Sequence, residues 1–392
     1  MNEVVIAGVG MTQFGKFFDR GLKDLGTEAV NKALNDAGIQ KEAIQAAYVG
    51  NAVAGVVTGQ ETIRGQVVLK SAGIGGIPIF NIENACASSS TALHLATIGI
   101  KAGMYDCVLV LGVEKMTHED RNIMFKSFEG GLDVEEMKHI LDQSTGAHSV
   151  TMDVYASIAR KFMYQSGVTK EHLAMVASKN HTNGSLNPYA QRSKARTVEE
   201  VLNDRLVLEP FTRFMCSPIS DGAAAVVLCS AKYAQKLINN PIYVAASVVR
   251  SSKEREVGEP SLIEGAGKAA YKEAGIGPED IDVFEIHDAA ASSELMTYEE
   301  LGLCEHGNAA KLIVDKLTYL DGSKPVNTSG GLEAKGHPVG ATGIGQICEL
   351  VFQLRGEAGP RQIKDAKVAL AENAGGFLGR ENAASAITIL KR

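Results

Sequence analysis

Short apolar runs alternate with stretches of helical spacing through most of the chain. Before residue 113 the pattern predicts strands at Val4–Gly8, Ala47–Gly50, Ile77–Ile82 and Cys107–Gly112, and helices at Leu22–Ala37 and Thr91–Ala102. The run Cys107–Gly112 is apolar without a break, which is typical of a strand buried on both faces. This alternation predicts a largely parallel sheet between layers of helices.

The same order recurs in the second part of the chain. Strands are predicted at Ile242–Ser247, Ile281–Ile286 and Lys367–Ala371, with helices at Ile263–Ala274 and Thr342–Leu354. A polar, helical segment rich in His, Lys, Arg and Met interrupts the rhythm at 119–215, and Val226–Cys229 restores it. We therefore expect two similar halves, residues 1–118 with 216–237 and residues 238–392, and one insertion at 119–215.

Composition narrows the class of protein. The 392 residues carry a formal net charge of −7 and 41 glycines, which suits tightly packed α/β architecture and not a nucleic-acid-binding surface. Neither a signal peptide nor an apolar run of about 18 residues is present, so no membrane association is expected. The six cysteines are scattered without a Cys-x-x-Cys pair, which predicts a reduced, cytoplasmic protein with no metal site.

Cys86 is the cysteine whose surroundings suggest chemistry. It lies in Asn84-Ala-Cys-Ala-Ser, between a predicted strand and a predicted helix. The unpaired N–H groups and dipole of a helix start favour the thiolate, and small neighbours leave room for a thioester. A buried structural cysteine is the competing interpretation.

Two histidines lie in similar positions. His337 is within Gly336-His-Pro-Val-Gly-Ala-Thr-Gly343, just before a predicted helix, and is a candidate general base or a turn histidine held by backbone. No Gly-Lys-Ser/Thr follows, so this glycine-rich segment is not a phosphate loop. His287, in Glu285-Ile-His-Asp288 at a predicted strand end, is a candidate donor to an enolate or half of a surface His–Asp pair.

Many ordered motifs together resemble the thiolases, and most closely the sterol-carrier-protein-X type with its bacterial and archaeal relatives. They are Asn84-Ala-Cys-Ala-Ser, Gly112-Val-Glu-Lys-Met116, Lys179-Asn-His181, Asn187-Pro-Tyr189, Ser220-Asp-Gly-Ala-Ala224, His287-Asp288, Asn327-Thr-Ser-Gly-Gly331, Gly336-His-Pro-Val-Gly-Ala-Thr-Gly343 and Asn373-Ala-Gly-Gly376. The resemblance implies the thiolase fold: two βαβαβαββ-type halves that form a five-layer αβαβα sandwich, with an inserted loop domain over the coenzyme A site.

The resemblance also implies roles for residues. Cys86 would be the acylated nucleophile, His337 its base, and His287 part of an oxyanion hole. Gly375 and Asn327 are assigned to oxyanion and backbone contacts. His148, Met152 and Ser220 are expected to contact substrate, although Met152 and its neighbours in the insertion are equally consistent with core or dimer contacts. Coenzyme A would be a substrate, with no covalently bound cofactor.

One family feature is missing. Thiolases normally carry a second cysteine that moves the α-carbon proton, and the two positions where it occurs read Ala289 and Asn373 here. This gap resembles thiolase subunits that work beside a small zinc-ribbon/OB-fold protein, so such a partner is expected in addition to a homodimer or a dimer of dimers.

The expected reaction is cleavage or formation of a β-ketoacyl-CoA by acyl transfer between Cys86 and CoA. Acetoacetyl-CoA and a bulky or aromatic substrate such as benzoylsuccinyl-CoA both remain open. The alternative is a retro-aldol lyase, which would not need an acylated cysteine, or a decarboxylating condensing enzyme on CoA thioesters, which generates its carbanion without the missing cysteine.

Overall fold

A computed structural model describes residues 2–135, 138, 149–235, 240–256, 258–379 and 381–392. The strands among them are β1 (Val4–Met11), β2 (Ala46–Gly50), β3 (Ile79–Ile82), β4 (Cys107–Glu114), β5 (Leu206–Leu208), β6 (Phe211–Thr212), β7 (Gly222–Ser230), β8 (Ile242–Ser251), β9 (Val283–Glu285), β10 (Val368–Leu378) and β11 (Glu381–Lys391).

The helices among the described residues are α1 (Leu22–Ala37), α2 (Ala54–Thr58), α3 (Arg64–Ser71), α4 (Ser88–Lys101), α5 (Arg121–Glu129), α6 (Val150–Ser166), α7 (Lys170–Ser185), α8 (Val198–Leu202), α9 (Ala231–Ala234), α10 (Leu262–Ala274), α11 (Ala291–Glu300), α12 (Ala309–Val314), α13 (Gly331–Lys335) and α14 (Thr342–Arg355). Four of them, α1, α4, α10 and α14, coincide with the four predicted helices to within a few residues. Helix α1 matches its prediction and ends at Gly38, which adopts φ 63°, a conformation that glycine accepts without strain. None of the described helices is long and apolar enough to cross a membrane.

The strands are ordered β3-β2-β4-β7-β1 in the first half and β8-β11-β10-β9 in the second, and β1 joins β8. Strand β2 runs parallel to β3 and β4, and β9 runs parallel to β10, whereas the remaining pairings are antiparallel. The prediction of a largely parallel sheet is therefore wrong. Strand β11 follows β10 through a short turn, which permits only antiparallel pairing, and β7 returns antiparallel to both of its neighbours.

Five layers follow from the alternation of side chains along each strand. Val4 and Ile6 of β1 pack in a central cluster with α4 and α14, whereas Val5 and Ala7 pack outward against α1. The far faces of β10 and β11 pack against α10 and α11. The order is helix, sheet, helices α4 and α14, sheet, helix. Strand β4 is buried throughout, so the prediction of a strand buried on both faces is confirmed.

The two halves differ in their number of strands. The first half has five strands, and the second has four plus a single parallel bridge between Phe284 and Val326 at the place corresponding to β3. Helices α6 and α7 of the inserted segment share an apolar core with α10 and α11 of the second half. The insertion therefore interrupts the first half in sequence but packs against the second half.

Candidate active site

Cys86 lies on a strained turn between β3 and α4. It is the middle residue of the 3₁₀ turn Ala85–Ala87, and Ala85 adopts φ 48°, where a side chain is normally disfavoured. Ser88 Oγ donates to the Ala85 carbonyl at 2.6 Å and accepts from the Asn84 N–H at 2.9 Å. This turn holds the thiol in place at the edge of the sheet, a use of strain that is common at functional sites.

The loop before α14 delivers His337. The His337 backbone N–H donates to Ser220 Oγ at 2.9 Å, and the Ser220 hydroxyl donates to Gln191 Oε1 at 2.5 Å. Gly336 has φ 111°, and a Cβ there would lie 2.8 Å from Ser220 Oγ, so glycine is required. Further on, the Gly340 N–H donates to the buried carboxylate of Glu114 at 2.9 Å, which ties this loop to the first half.

Cys86 and His337 form a hydrogen-bonded pair, with Sγ 3.3 Å from Nε2. The other ring nitrogen, Nδ1, lies 2.7 Å from Thr342 Oγ1, and that hydroxyl donates to the Pro338 carbonyl at 3.0 Å. Because the Thr342 proton is committed to Pro338, its oxygen accepts from Nδ1–H. The Nε2 lone pair of neutral His337 therefore faces the thiol, which is the arrangement of a general base.

His287 has the opposite proton arrangement. The Ser90 hydroxyl donates to Asn373 Oδ1 at 2.8 Å, which orients the amide so that its NH₂ group donates to His287 Nδ1 at 3.0 Å. Neutral His287 therefore carries its proton on Nε2. The rings of His287 and His337 meet edge to face, with centroids 5.0 Å apart. One imidazole of the pair can accept a proton, and the other can donate a hydrogen bond to a developing oxyanion.

Burial keeps this group of side chains neutral. It raises the pKa of Cys86 to about 12, although the backbone N–H of Gly376 opposes the shift. It lowers the pKa of His287 to about 3, and it lowers the pKa of His337 well below the ordinary value, with nearby His287 adding to the effect. The expectation that the helix start lowers the pKa of Cys86 is therefore wrong. Desolvation outweighs the helix start, so Cys86 is a protonated thiol at neutral pH.

A cavity of about 500 Å³ opens in front of these three side chains. Its apolar wall consists of Met116, Met124, Phe125, Phe128, Met152, Tyr155 and Phe377, and basic side chains from Lys16, Arg121, Arg192, Arg205 and Arg213 also line it. The volume lies within the range of small-molecule sites. An apolar pocket beside cationic groups suits a ligand with an acyl group at one end and phosphates at the other.

The other predicted site residues are placed as follows. Gly375 and Met152 line the cavity. Ser220 is fully buried and acts on the His337 backbone, as described above, so it positions the base and does not line the cavity. His148 lies outside the described residues.

The structure does not bring Asn327 to the cavity. Its Oδ1 accepts the Ile286 N–H at 2.9 Å and its Nδ2 donates to Glu294 at 2.7 Å. With both ends of the amide engaged in the core, Asn327 supports the strand end that carries His287. The assignment of Asn327 to direct oxyanion contact is corrected to this positioning contact.

Cys86, His287 and His337 have ligand atoms within 4.8 Å of one another, close enough for one metal ion. A histidine that binds a metal normally donates its other ring N–H to a neighbour. His287 instead accepts at Nδ1. The hydrogen bonds therefore fit proton transfer better than metal ligation.

Several residues that organise the site were not singled out as functional from sequence. Glu114 accepts backbone N–H groups of Ala52, Val53, Ala54 and Gly340. Asn373 orients His287, and Thr342 orients His337. Asn373 was noticed only because a cysteine is missing there, and no sequence signal distinguishes the contacts of Glu114 from those of a surface acid.

Comparison with known proteins agrees with this geometry. The family model for the thiolase N-terminal domain matches residues 4–232, and the thiolase C-terminal domain-like model matches residues 245–392. An acetyl-CoA acetyltransferase of Methanothermobacter thermautotrophicus is 39% identical over 384 residues, which cover 97% of this chain and 98% of the relative. The chain belongs to the thiolase family and is an acyltransferase.

Two further proteins and one solved structure are also similar to this chain. Human sterol carrier protein 2 is 38% identical over 96% of this chain and 70% of its own length. The benzoylsuccinyl-CoA thiolase subunit BbsB of Thauera aromatica is 37% identical over 95% of each chain. The structure named Ltp2-ChsH2(DUF35) aldolase covers 100% of this chain and 98% of its own with a TM-score of 0.82, and at 23% identity this likeness shows the fold alone.

Proposed function

We propose that the protein cleaves and forms β-ketoacyl-CoA thioesters by passing the acyl group between Cys86 and CoA. The observation that carries the proposal is the 3.3 Å pair of Cys86 Sγ and His337 Nε2, which opens into the cavity beside a second imidazole of opposite tautomer. A thiol next to an imidazole base is the arrangement of covalent acyl transfer.

The residues divide the work of the first half-reaction. His337 takes the Cys86 proton while sulfur attacks the ketone carbon, and the Cys86 N–H with the glycine amides at 375–376 stabilises the resulting oxyanion. The bond between the ketone carbon and the α-carbon then breaks, and Nε2–H of His287 donates to the enolate oxygen. Free CoA attacks the acylated cysteine in the second half-reaction, with His337 again as the base.

The cavity supports an acyl group that ranges from acetyl to a bulky one. Its methionine and phenylalanine wall is adaptable, because thioether side chains adjust to irregular shapes. Acetoacetyl-CoA and an aromatic β-oxoacyl-CoA such as benzoylsuccinyl-CoA are the two ends of the range. One relative is named an acetyl-CoA acetyltransferase and another a benzoylsuccinyl-CoA thiolase subunit.

The basic rim supports binding of the CoA tail. Arg205 is exposed and lines the cavity, and its side chain has no ion pair within the described part of the chain. Arg121 lies over the Phe125 ring at 5.4 Å. Both residues belong to the inserted segment, so the proposal that residues 119–215 form a domain over the CoA site rests on them.

Two kinds of partner are proposed. Strand β3 ends the sheet and carries the exposed side chain of Phe80, and helix α4, which packs against β3, carries the exposed side chains of Leu95 and Ile98. Such an edge suits pairing with a second copy in a homodimer or a dimer of dimers. A zinc-ribbon/OB-fold subunit is supported by the name of the BbsB relative, which is a subunit. Cytoplasmic location stays a prediction.

Intact mass spectrometry after incubation with a panel of acyl- and β-ketoacyl-CoAs tests the reaction. We expect an adduct that requires Cys86, disappears on addition of CoA and names the acyl group by its mass. Cys86→Ala removes the nucleophile, and Cys304→Ala is the matched control because Cys304 is a free, half-buried cysteine outside the cavity. Absence of any adduct, with or without a zinc-ribbon partner, would overturn acyl transfer and favour the lyase alternative.

A further inference from the structure

The α-carbon proton has no assigned carrier in this site. Ala289 lines the cavity without a reactive group, and Asn373 is fully engaged by Ser90 and His287. When the carbon–carbon bond breaks, the enolate of the departing acyl-CoA must still receive a proton at carbon. That proton comes either directly from His337, which has taken it from Cys86, or from a further acid at the wall of the cavity.

Tyr155 of α6 is the phenol in this cavity. It lines the main cavity together with Cys86, His287 and His337, and it also lines a smaller chamber of about 110 Å³ behind His287. Its ring meets Phe377 edge to face, with centroids 5.0 Å apart, and Val150 and Val154 of the same helix belong to the cluster beneath it. These contacts fix the ring at the wall of the site.

The Tyr155 hydroxyl has no hydrogen-bond partner among the described residues, whereas the hydroxyls of Tyr298 and Tyr271 do. The Tyr298 hydroxyl donates to Glu294 and lies 3.1 Å from Thr318, and the Tyr271 hydroxyl donates to the Leu301 carbonyl at 2.9 Å. Tyr155 is half-buried and lines the cavity, so its hydroxyl is available to bond a ligand there.

Burial determines which form of Tyr155 is present. It raises the pKa of Tyr155 well above 10, and any negative charge that forms on Cys86, Glu372 or Asp288 raises that pKa further. The phenol is therefore protonated at neutral pH, as an acid for the cleavage direction must be.

We propose that Tyr155 is the catalytic acid that gives the α-carbon its proton, in place of the absent second cysteine; this rests on the proposed thiolase function. Cys86 gives its proton to His337 and bonds to the ketone carbon, the carbon–carbon bond breaks, and its electron pair remains on the α-carbon as an enolate. The Tyr155 O–H proton then passes to that carbon. The proton held by His337 passes to the phenolate through cavity water, so that enzyme and charge balance. In synthesis the steps run in reverse.

Tyr155→Phe keeps the ring and removes the hydroxyl, and Tyr164→Phe is its matched control, since Tyr164 lies on the same helix and is 92% exposed. Acetyl-CoA is added to the acylated enzyme in D₂O, and deuterium at its α-carbon is followed by mass spectrometry together with the adduct on Cys86. We expect Tyr155→Phe to lower exchange by about 100-fold or more, the usual effect of a general acid or base, with adduct formation within about 3-fold of wild type. Tyr164→Phe should match wild type.

Each other outcome contradicts either the inference about Tyr155 or the proposed function. Unchanged exchange in Tyr155→Phe would overturn the inference and leave His337 as the proton carrier. Loss of both exchange and adduct would show a structural role and also overturn it, as would a wild-type enzyme that acylates without exchanging. A wild-type enzyme that forms no adduct would instead refute the proposed function.

Discussion

Replacing Asn373 with Asp tests whether one amide sets the proton position on His287. The Asn373 NH₂ group donates to His287 Nδ1 at 3.0 Å, so the proton of the neutral ring lies on Nε2. A carboxylate at the same place only accepts, and it therefore draws the ring proton to Nδ1. Neutral His287 would then turn an unprotonated Nε2 toward the oxyanion position.

The expected loss follows from the role of that proton. Removal of one oxyanion-hole donor lowers kcat by about 100- to 1,000-fold, or roughly 2.7–4 kcal/mol. The new carboxylate also raises the His287 pKa from about 3, since an opposite charge this close shifts a pKa by roughly 1–3 units. The imidazolium, which carries a proton on both nitrogens, thus forms at a higher pH than in wild type.

Thiolysis by the variant and by wild type is measured from pH 5.5 to 9 with the best substrate of the acyl-CoA panel. A raised pKa means that the protonated fraction grows as pH falls, so the activity of Asn373→Asp relative to wild type should be lowest near pH 9 and recover toward pH 5.5. Asn382→Asp is the control, because Asn382 lines the same cavity and, within the described part of the chain, its side chain bonds only the Gly376 carbonyl. Full activity of Asn373→Asp at pH 9, or an equal loss in Asn382→Asp, would refute the tautomer argument.

Three further predictions test the site and its support. Because burial raises the Cys86 pKa to about 12, alkylation by iodoacetamide at pH 7 should be at least about 100-fold slower than for a free thiol of pKa ~8.5 and should climb with pH; rapid, pH-independent alkylation would indicate a thiolate–imidazolium pair. Glu114→Ala leaves four backbone N–H groups without their acceptor and should lower the free energy of unfolding by roughly 3 kcal/mol, measured as the urea midpoint, with an unchanged midpoint counting against the role of that carboxylate. Arg205→Ala should raise KM for CoA about 5- to 10-fold at constant kcat, with the difference shrinking in 0.5 M salt; a lower kcat alone would contradict a phosphate contact.

Periodicity predicted the elements near the site well because their apolar faces are continuous. Helix α1 matches its predicted bounds, and the Cys107–Gly112 prediction lies within β4. The predicted helix at Thr91 begins three residues earlier, at Ser88, since the serines that open α4 are polar and their burial comes from tertiary packing. Strand β11 was missed, and with it the antiparallel character of the sheet, because pairing direction depends on which strands become neighbours.

Motif reasoning selected the three side chains that the structure brings together at the cavity, but it did not predict their protonation state. A helix start favours a thiolate, yet the surrounding core removes water from Cys86, and desolvation depends on residues far away in sequence. The tautomer of His287 could not be predicted from the sequence either, because it depends on Ser90 and Asn373, which are 283 residues apart. The role of Asn327 was predicted wrongly for the same reason, since its hydrogen-bond partners Ile286 and Glu294 lie elsewhere in the sequence.

The repeated halves explain how one site obtains two imidazoles in different proton states. Cys86 follows β3 and precedes α4, and His337 follows the Val326 bridge and precedes α14, so the two occupy corresponding positions in the two halves. Both helices lie in the central layer, and each contributes one hydroxyl from its first turn. Ser90 of α4 acts through Asn373 on His287, and Thr342 of α14 acts directly on His337.

Proton positions in the site are thus set by hydroxyls that do not themselves react. Each imidazole depends on a hydroxyl in the first turn of a buried helix. The amide of Asn373 lies between Ser90 and His287, and it makes His287 a donor at Nε2. Thr342 contacts His337 directly, and it makes His337 an acceptor at Nε2. Changes at these two hydroxyls should therefore alter the pH dependence of catalysis before they alter substrate affinity. The acid–base difference between His287 and His337 is in this sense a consequence of duplication, because the central layer supplies the same device twice and the single amide of Asn373 makes the two copies different.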